Sequence, residues 1–313
     1  MNMPLADQEK RWAALTSVVA ALGLTGMKIV VGIVTGSLGI LAEAAHSGLD
    51  LVAALVTYLA VRYSSKPADS SHLYGHGKVE NLSALFETLL LLATCVWIIH
   101  EAIDRLFVKE VEVSASVWAF LVMAVSIVVD KYRSANLYRV AQKYNSQALE
   151  ADALHFSTDI WSSCVVILGL GGVKLAQFFP SISFIKHADA VAALGVAIIV
   201  IYVSMELLTR SLQGLLDAAP HGAAEKIKKE VEKLPNVIDC HHVRVRYSGS
   251  HLFVDIHVLM DGNLTLDEAH EITEQVEDSI QKKFMDADVS VHPEPRGIHK
   301  ADGRGRARGV IPG

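Results

Sequence analysis

The sequence predicts an all-α six-helix transmembrane bundle followed by a small soluble α+β domain. Three observations carry this. Six apolar stretches, at about 12–34, 38–62, 80–107, 114–138, 150–173 and 188–209, are each long enough to cross a bilayer, since about 20 residues at about 1.5 Å rise span about 30 Å of hydrocarbon. From about Gly214 the chain turns charged and such stretches stop. Beyond that point the apolar period alternates between strand-like and helical spacing. The overall 51% of hydrophobic residues would suit many globular chains; their distribution decides the class. The expected domains are an N-terminal segment (1–11), the membrane domain (12–209), a soluble domain (210–297) and a tail (298–313).

The first apolar stretch follows MNMPLADQEKRW, mixes acidic residues into its flank and is too long for a signal peptide, so it is expected to stay as span one. Thr35, Gly36 and Ser37 leave only a short turn before span two, which makes the first two spans antiparallel neighbours. Gly32 and Gly36 form a GxxxG that would let helices approach closely. Pro67 and Gly75 break the next loop, YSSKPADSSHLYGHGK. Lys10 and Arg11 precede span one, Arg62, Lys66 and Lys78 flank the second loop, and Lys131, Arg133, Arg139 and Lys143 lie between spans four and five. The opposite side has only Arg105, Lys109, Lys174 and Lys186, so the positive-inside rule places both termini and the soluble domain in the cytoplasm.

The soluble part reads as a helix from about His221 to Leu234, a strand from Val237 to Tyr247, a Ser-Gly-Ser turn and a strand from Leu252 to Met260. A helix from Thr265 to Phe284 follows, with Thr265 and Glu268 spaced as a capping box, then a strand from Asp288 to His292. The order α-β-β-α-β gives a ferredoxin-like, open-faced sandwich with both helices on one side of the sheet. The tail after Arg296, rich in Gly and Arg, is expected to be disordered and to touch anionic lipid.

Chemistry concentrates in three clusters. His46 and Asp50 (HSGLD) sit four residues apart in span two, and His155 and Asp159 (HFSTD) repeat that spacing in span five. Residues at i and i+4 share a helix face, so each span offers an imidazole and a carboxylate together. An ionisable side chain at that depth costs about 2.5–3.5 kcal/mol on insertion scales. One such pair is commonly a packing contact; two copies match the ligand count of a tetrahedral Zn²⁺ site. Imidazole with carboxylate suits Zn²⁺ best, admits Co²⁺, Fe²⁺ and Cd²⁺, and does not suit Mg²⁺ or Ca²⁺. The second cluster is Asp69, His72 and His76, whose DxxHxxxH spacing closes on one ion or marks a solvated loop. The third is His241, His257, His270, His292 and Glu294 in the soluble domain, read as a metal-sensing surface; His221, His242 and His251 read as ordinary surface residues. Lys78 and Asp217 stand at membrane junctions, and Lys28 in span one needs a partner or must snorkel.

Cys95, Cys164 and Cys240 are far apart and form no CxxC, which argues against a disulfide framework or a cysteine zinc site. No HExxH or GxSxG occurs and no spare glutamate flanks the quartet, so no enzyme is expected.

The motifs HSGLD (46–50), PADSSHLYGHGKVE (67–80), EADALHFSTD (150–159) and GLLDAAP (214–220), with VRVRYSG, VDIHVLMDGNLTLDEAH and VSVHPEP, resemble the cation diffusion facilitator family from about residue 10 to 297. The resemblance implies a homodimeric divalent-metal/proton antiporter of the bacterial inner membrane that exports metal from the cytoplasm. The implied partners are metal ions, protons and lipid, and no nucleic acid. It also implies that His46, Asp50, His155 and Asp159 form the transport site, that Asp69, His72 and His76 form a loop site, and that the third cluster forms a cytoplasmic metal site. Lys78 and Asp217 fall where members place a salt bridge near the dimer contact. Two departures matter. Some members carry Asp at position 46, and His46 here favours Zn²⁺ over Fe²⁺, Cd²⁺ or Mn²⁺; Glu294 replaces the more usual Asp, with Pro293 beside it. The rival reading is a membrane metal sensor that transports nothing.

Overall fold

The computed structural model describes residues 5–107, 117–178, 188–284 and 287–296, and the chain divides into a unit from Met1 to Leu212 and one from Gln213 to Gly313. The tail expected to be disordered, residues 298–313, lies outside the described residues.

The first unit is helical: α1 (Leu5–Thr35), α2 (Leu38–Ser64), α3 (Lys78–Phe107), α4 (Val117–Tyr144), α5 (Gln147–Phe178) and α6, which runs from Ala188 to Leu215. Among the described residues, four stretches are long and apolar enough to cross a membrane: Leu5–Thr35, Glu43–Ser64, Lys78–Asp104 and Leu194–Leu215. α4 and α5 have the length but carry Asp130, Lys131 and Arg133, and Asp152, His155 and Asp159. The bundle is inside-out relative to a soluble protein. Large apolar side chains such as Leu22, Val34, Val96, Trp97, Ile198 and Tyr202 face outward, where lipid would meet them. Its interior packs small residues (Ala13, Ala14, Ala54, Ala148, Ala153) around Val61, Leu137, Leu149 and Phe156.

The α1–α2 turn divides the work of its two glycines. A Cβ on Gly32 would lie 2.7 Å from the Leu41 side chain and 3.3 Å from its backbone nitrogen, so Gly32 is the close-approach residue. Gly36 instead adopts φ +62°, the left-handed turn, after which Ser37 caps α2. Two cations counted among the loop charges are buried and paired. Lys10 donates to Glu80 Oε1 at 3.0 Å, and Arg133 to Asp130 Oδ1 at 2.9 Å. Lys28 reaches Ser47 Oγ at 2.7 Å and Glu43 at 3.4 Å rather than the bilayer surface.

The second unit contains α7 (Ala223–Val231), β1 (Asp239–Ser248), β2 (His251–Met260), α8 (Leu266–Lys283) and β3 (Ala287–Pro295). β2 is central, antiparallel to β1 and parallel to β3. Both helices cover one face: Ile227 and Val231 of α7 and Ile272, Val276 and Ile280 of α8 bury against Val254, Ile256, Val258 and Met260 of β2. Strict alternation along β2 leaves Phe253, Asp255, His257 and Leu259 on the other face. α7 is shorter than the expected 221–234. Gly222 sits at φ +69°, outside helical geometry, and Pro235 disfavours helix in the residue before it. β1 is interrupted where alternation was expected to continue. His241 opposes His257 and Arg244 opposes Asp255, so one extra residue bulges out, with His242 at φ +50°. β3 runs on through Pro293 and Pro295, which an edge strand tolerates.

α8 opens on the expected capping box: Thr265 Oγ1 accepts from the Glu268 backbone N–H, and Glu268 accepts from the Thr265 N–H at 2.8 Å. Thr265→Ala should cost this helix about 1 kcal/mol. Amide exchange across its first turns in the full chain should rise about fivefold, and unchanged exchange would show that the box does not hold the helix.

Candidate metal centres

The intramembrane quartet assembles between α2 and α5. Four-residue spacing puts His46 and Asp50 on one face of α2, and His155 and Asp159 on the facing side of α5. Asp50 Oδ1 lies 3.2 Å from His155 Nε2 and 3.9 Å from His46 Nε2. Asp159 lies 3.9 Å from His46 Nε2 through Oδ1 and 3.8 Å from His155 Nε2 through Oδ2. Imidazole and carboxylate therefore alternate around a small ring. Donors held about 2.0–2.2 Å from a tetrahedral Zn²⁺ sit roughly 3.3–3.5 Å apart, close to these four contacts, and one donor each from His46, Asp50 and Asp159 lies within 4.8 Å of the others. Asp50 and His155 are buried; the His46 side chain is 35% exposed and offers the ring an open side. His155 meets Phe156 edge-on at 5.6 Å, and the Arg133 guanidinium lies 3.5 Å over that same Phe156 ring.

The loop cluster closes through Asp69. Its Oδ1 lies 3.2 Å from His72 Nδ1 and its Oδ2 lies 3.3 Å from His76 Nε2, with the two imidazoles 4.4 Å apart. Backbone N–H groups of Ser71 and His72 also donate to Asp69 at 2.8 and 2.7 Å. They hold its carboxyl below the usual carboxylate range. Asp69 and His72 are exposed, whereas His76 is buried against the edge of Tyr63.

In the second unit three histidines form a row across the sheet. His241 of β1, His257 of β2 and His292 of β3 are register partners, on the face away from the helices. Glu294 ties the row together: Oε1 lies 2.8 Å from His257 Nδ1 and Oε2 lies 3.2 Å from His241 Nε2. The hydrogen bond from His257, reinforced by the neighbouring imidazoles, holds the Glu294 carboxyl below its ordinary range. Asp239 Oδ2 lies 3.0 Å from His241 Nδ1, fixing that ring from behind. The donors fall into two groups that share His257: His241, His242 and His257, and His257, His292 and Glu294, each with its ligand atoms within 4.8 Å of one another; imidazole with carboxylate suits a transition metal.

His242, read from the sequence as an ordinary surface residue, joins this row: the bulge turns its ring to within 5.1 Å of both His241 and His257. Only the HH pair at 241–242 hinted at it. His270 lies elsewhere within a single chain, exposed on α8 with Nε2 3.5 Å from Glu274. Cys240, one residue before His241, points into the core. Burial, with Glu232 nearby, pushes its thiol up to about 11. Asp217 accepts from Arg246 Nη1 at 3.1 Å within its own unit, and Lys78 opens α3 in the other.

The sequence reading also missed an internal polar network. Glu80 gathers Lys10, Ser64 at 3.0 Å and Ser146 at 2.5 Å. Ser17 links Arg133, at 3.1 Å, to Asp152, at 3.2 Å. The available signal was the cost of buried ionisable groups, applied to every helix rather than to the repeated pair alone.

Known proteins match nearly the whole chain. The profile of the cation efflux transmembrane domain matches residues 14–216, and that of the cation efflux protein cytoplasmic domain matches residues 219–296. The cation-efflux pump FieF of Salmonella arizonae is 33% identical over 288 residues, covering 90% of this chain and 92% of that protein. FieF of Salmonella paratyphi A is 32% identical over 297 residues, covering 93% and 95%. Among solved structures, the Zn form of CzrB is 23% identical with a TM-score of 0.25, covering 27% of this chain and 97% of that one. A cadmium form of the MamM CTD is 30% identical with a TM-score of 0.22, covering 23% and 90%. This chain therefore belongs to the cation efflux family, the cation diffusion facilitators, and is an integral membrane, homodimeric metal-efflux transporter rather than an enzyme.

Proposed function

We propose that the protein exports a divalent transition metal, Zn²⁺ before the others, from the cytoplasm in exchange for protons, through His46, Asp50, His155 and Asp159. The observation that carries this is the alternating ring of two imidazoles and two carboxylates between α2 and α5, with contacts of 3.2–3.9 Å. A mixed nitrogen and oxygen set at tetrahedral count suits Zn²⁺, with Co²⁺, Fe²⁺, Cd²⁺ and Mn²⁺ as lesser substrates. Ligands must shed protons to bind metal, so metal entry expels protons and returning protons expel metal. Imidazoles make that exchange workable near neutral pH. All six helices of the first unit cross the bacterial inner membrane, with both termini inside. Arg11, Arg62, Lys66, Lys78, Lys131, Arg139 and Lys143 support that orientation. Asp69, His72 and His76 form a capture site at the α2–α3 loop.

The cytoplasmic unit holds metal through His241, His257, His292 and Glu294, and His242 extends this set. His270, exposed on α8, is available to the second copy, and Lys78 and Asp217 lie at the dimer contact. Metal on the histidine row stabilises the paired cytoplasmic units and so biases the transport cycle.

Metal flux in proteoliposomes under an imposed pH gradient tests the route. Asp50→Ala and Asp159→Ala should each abolish Zn²⁺ movement; wild-type rates in either would exclude the quartet, and no flux in the wild type would favour a sensor. His46→Asp should move the preference away from Zn²⁺ toward Fe²⁺, Cd²⁺ or Mn²⁺, and an unchanged ranking would refute the role given to His46.

The lowered Glu294 carboxyl makes a separate statement about pH. Its stabilisation of the metal-free cytoplasmic unit is complete above the ordinary glutamate range, about 4.3, and is lost as pH falls through the lower folded-state value. Amide exchange across β3 should therefore accelerate below about pH 4 in the wild type and change less in Glu294→Gln. Equal acid sensitivity in the two proteins would contradict the assignment.

A further inference from the structure

Outside the quartet, the bundle buries a pair of carboxyls without enough cation. Glu87 of α3 is 3% exposed, and neither of its carboxyl oxygens has a hydrogen-bond partner. Asp152 of α5 is fully buried; Oδ2 accepts from Ser17, and Oδ1 has no partner. α3 and α5 lie side by side. Asn81 donates to Gln147 at 2.9 Å, and Ala84 packs with Ala151 and Leu154.

Among the described residues, the cations of the surrounding elements already have partners. Arg133 of α4 is engaged by Asp130 at 2.9 Å and by Ser17 of α1, which in turn donates to Asp152. Lys10 of α1 is taken by Glu80, Lys28 by Glu43 and Ser47, and Arg210 of α6 by Glu150 at 2.7 Å. Asp50 of α2 and His155, one turn along α5 from Asp152, belong to the quartet. Glu87 thus has neither a cation nor another donor hydrogen-bonded to it. A carboxylate without such a partner in a water-poor interior does not stay ionised. Two carboxyls without imidazole or thiolate are too few donors to strip the water from a transition metal. A proton needs no more than this.

We propose that Glu87 is a proton-holding site of the bundle, separate from the quartet. Its carboxyl O–H is kept at neutral pH. When the bundle opens to water the O–H bond breaks, the proton passes to a water molecule and the carboxylate remains; the reverse step reloads it. The site adds one proton to those displaced directly from the metal ligands, and so deepens the proton-exchange reading on which it rests.

Infrared spectroscopy of the reconstituted full chain tests occupancy without relying on transport. The wild type should show the carbonyl band of a protonated, buried carboxylic acid at neutral pH. That band should vanish in the nearly isosteric Glu87→Gln and persist, shifted, in Glu87→Asp. A band unaltered in Glu87→Gln, or absent from the wild type, overturns the proposal. In proteoliposomes Glu87→Gln should still carry Zn²⁺, unlike Asp50→Ala, but move about one proton fewer per metal ion. An unchanged ratio overturns the proposal while leaving the quartet reading intact. Loss of a bound Zn²⁺ from Glu87→Gln in equilibrium dialysis, measured on an Asp50→Ala background, would make the site a metal site and overturn it too.

Discussion

The register of α2 against α5 is the constraint on which the rest of the first unit depends. Each helix delivers its imidazole and carboxylate on one face for reasons of helical period alone. Whether four donors meet depends on how those faces slide past one another. A shift of one residue, about 1.5 Å, would already spoil contacts of 3.2–3.9 Å. The neighbouring packing fixes that register. Gly32 lets α1 press against α2 at Leu41, and Thr25 and Lys28 of α1 reach Ser47, beside His46. On the other flank Ser134 of α4 donates to the Ala153 carbonyl of α5 at 2.8 Å, two residues before His155.

The same packing explains why so many charged groups survive inside an apolar bundle. Among the described residues, each buried cation meets a carboxylate on another helix or another turn, Lys10 with Glu80, Lys28 with Glu43 and Arg133 with Asp130, and the part-exposed Arg210 pairs with Glu150. Pairs of this kind contribute little net stability, because desolvation offsets attraction, but breaking one partner is expensive. They therefore act as registration devices between helices. Glu87 and Asp152 stand out against this background because the pairing rule stops at them.

What the sequence disclosed follows the reach of each signal. The quartet was legible because helical period and the repeated HxxxD are local patterns, and only the meeting of the two helices had to be supplied by the fold. Asp69, His72 and His76 needed only the turn within which they lie. The histidine row was legible for His241, His257 and His292 because period-two strands align them. His242 was not, since a bulge is created by pairing with the next strand and leaves no mark beyond a positive φ. Lys10 and Arg133 were read as loop charges because nothing in their neighbourhood reveals Glu80, 70 residues away, or Ser17, 116 away. Tertiary partners of single charges are the part that periodicity cannot reach.

Charge balance connects these pieces on the proposed reading. Two carboxylates and two neutral imidazoles cancel one divalent ion, so the loaded quartet is neutral and tolerable in a low-dielectric interior. Removing the metal leaves a charge of about −2, which two protons on the ring restore. Both end states are then neutral, and the bundle can reorient in either without carrying an uncompensated charge through hydrocarbon. With aspartate at position 46 the loaded ring would keep a net charge of about −1, and its added oxygen donor would suit harder ions than Zn²⁺. His46 thus joins selectivity to the energetics of reorientation. Glu87 extends the same logic to a carboxyl that has no cation, since a bound proton is the least bulky way to keep that part of the bundle near neutral.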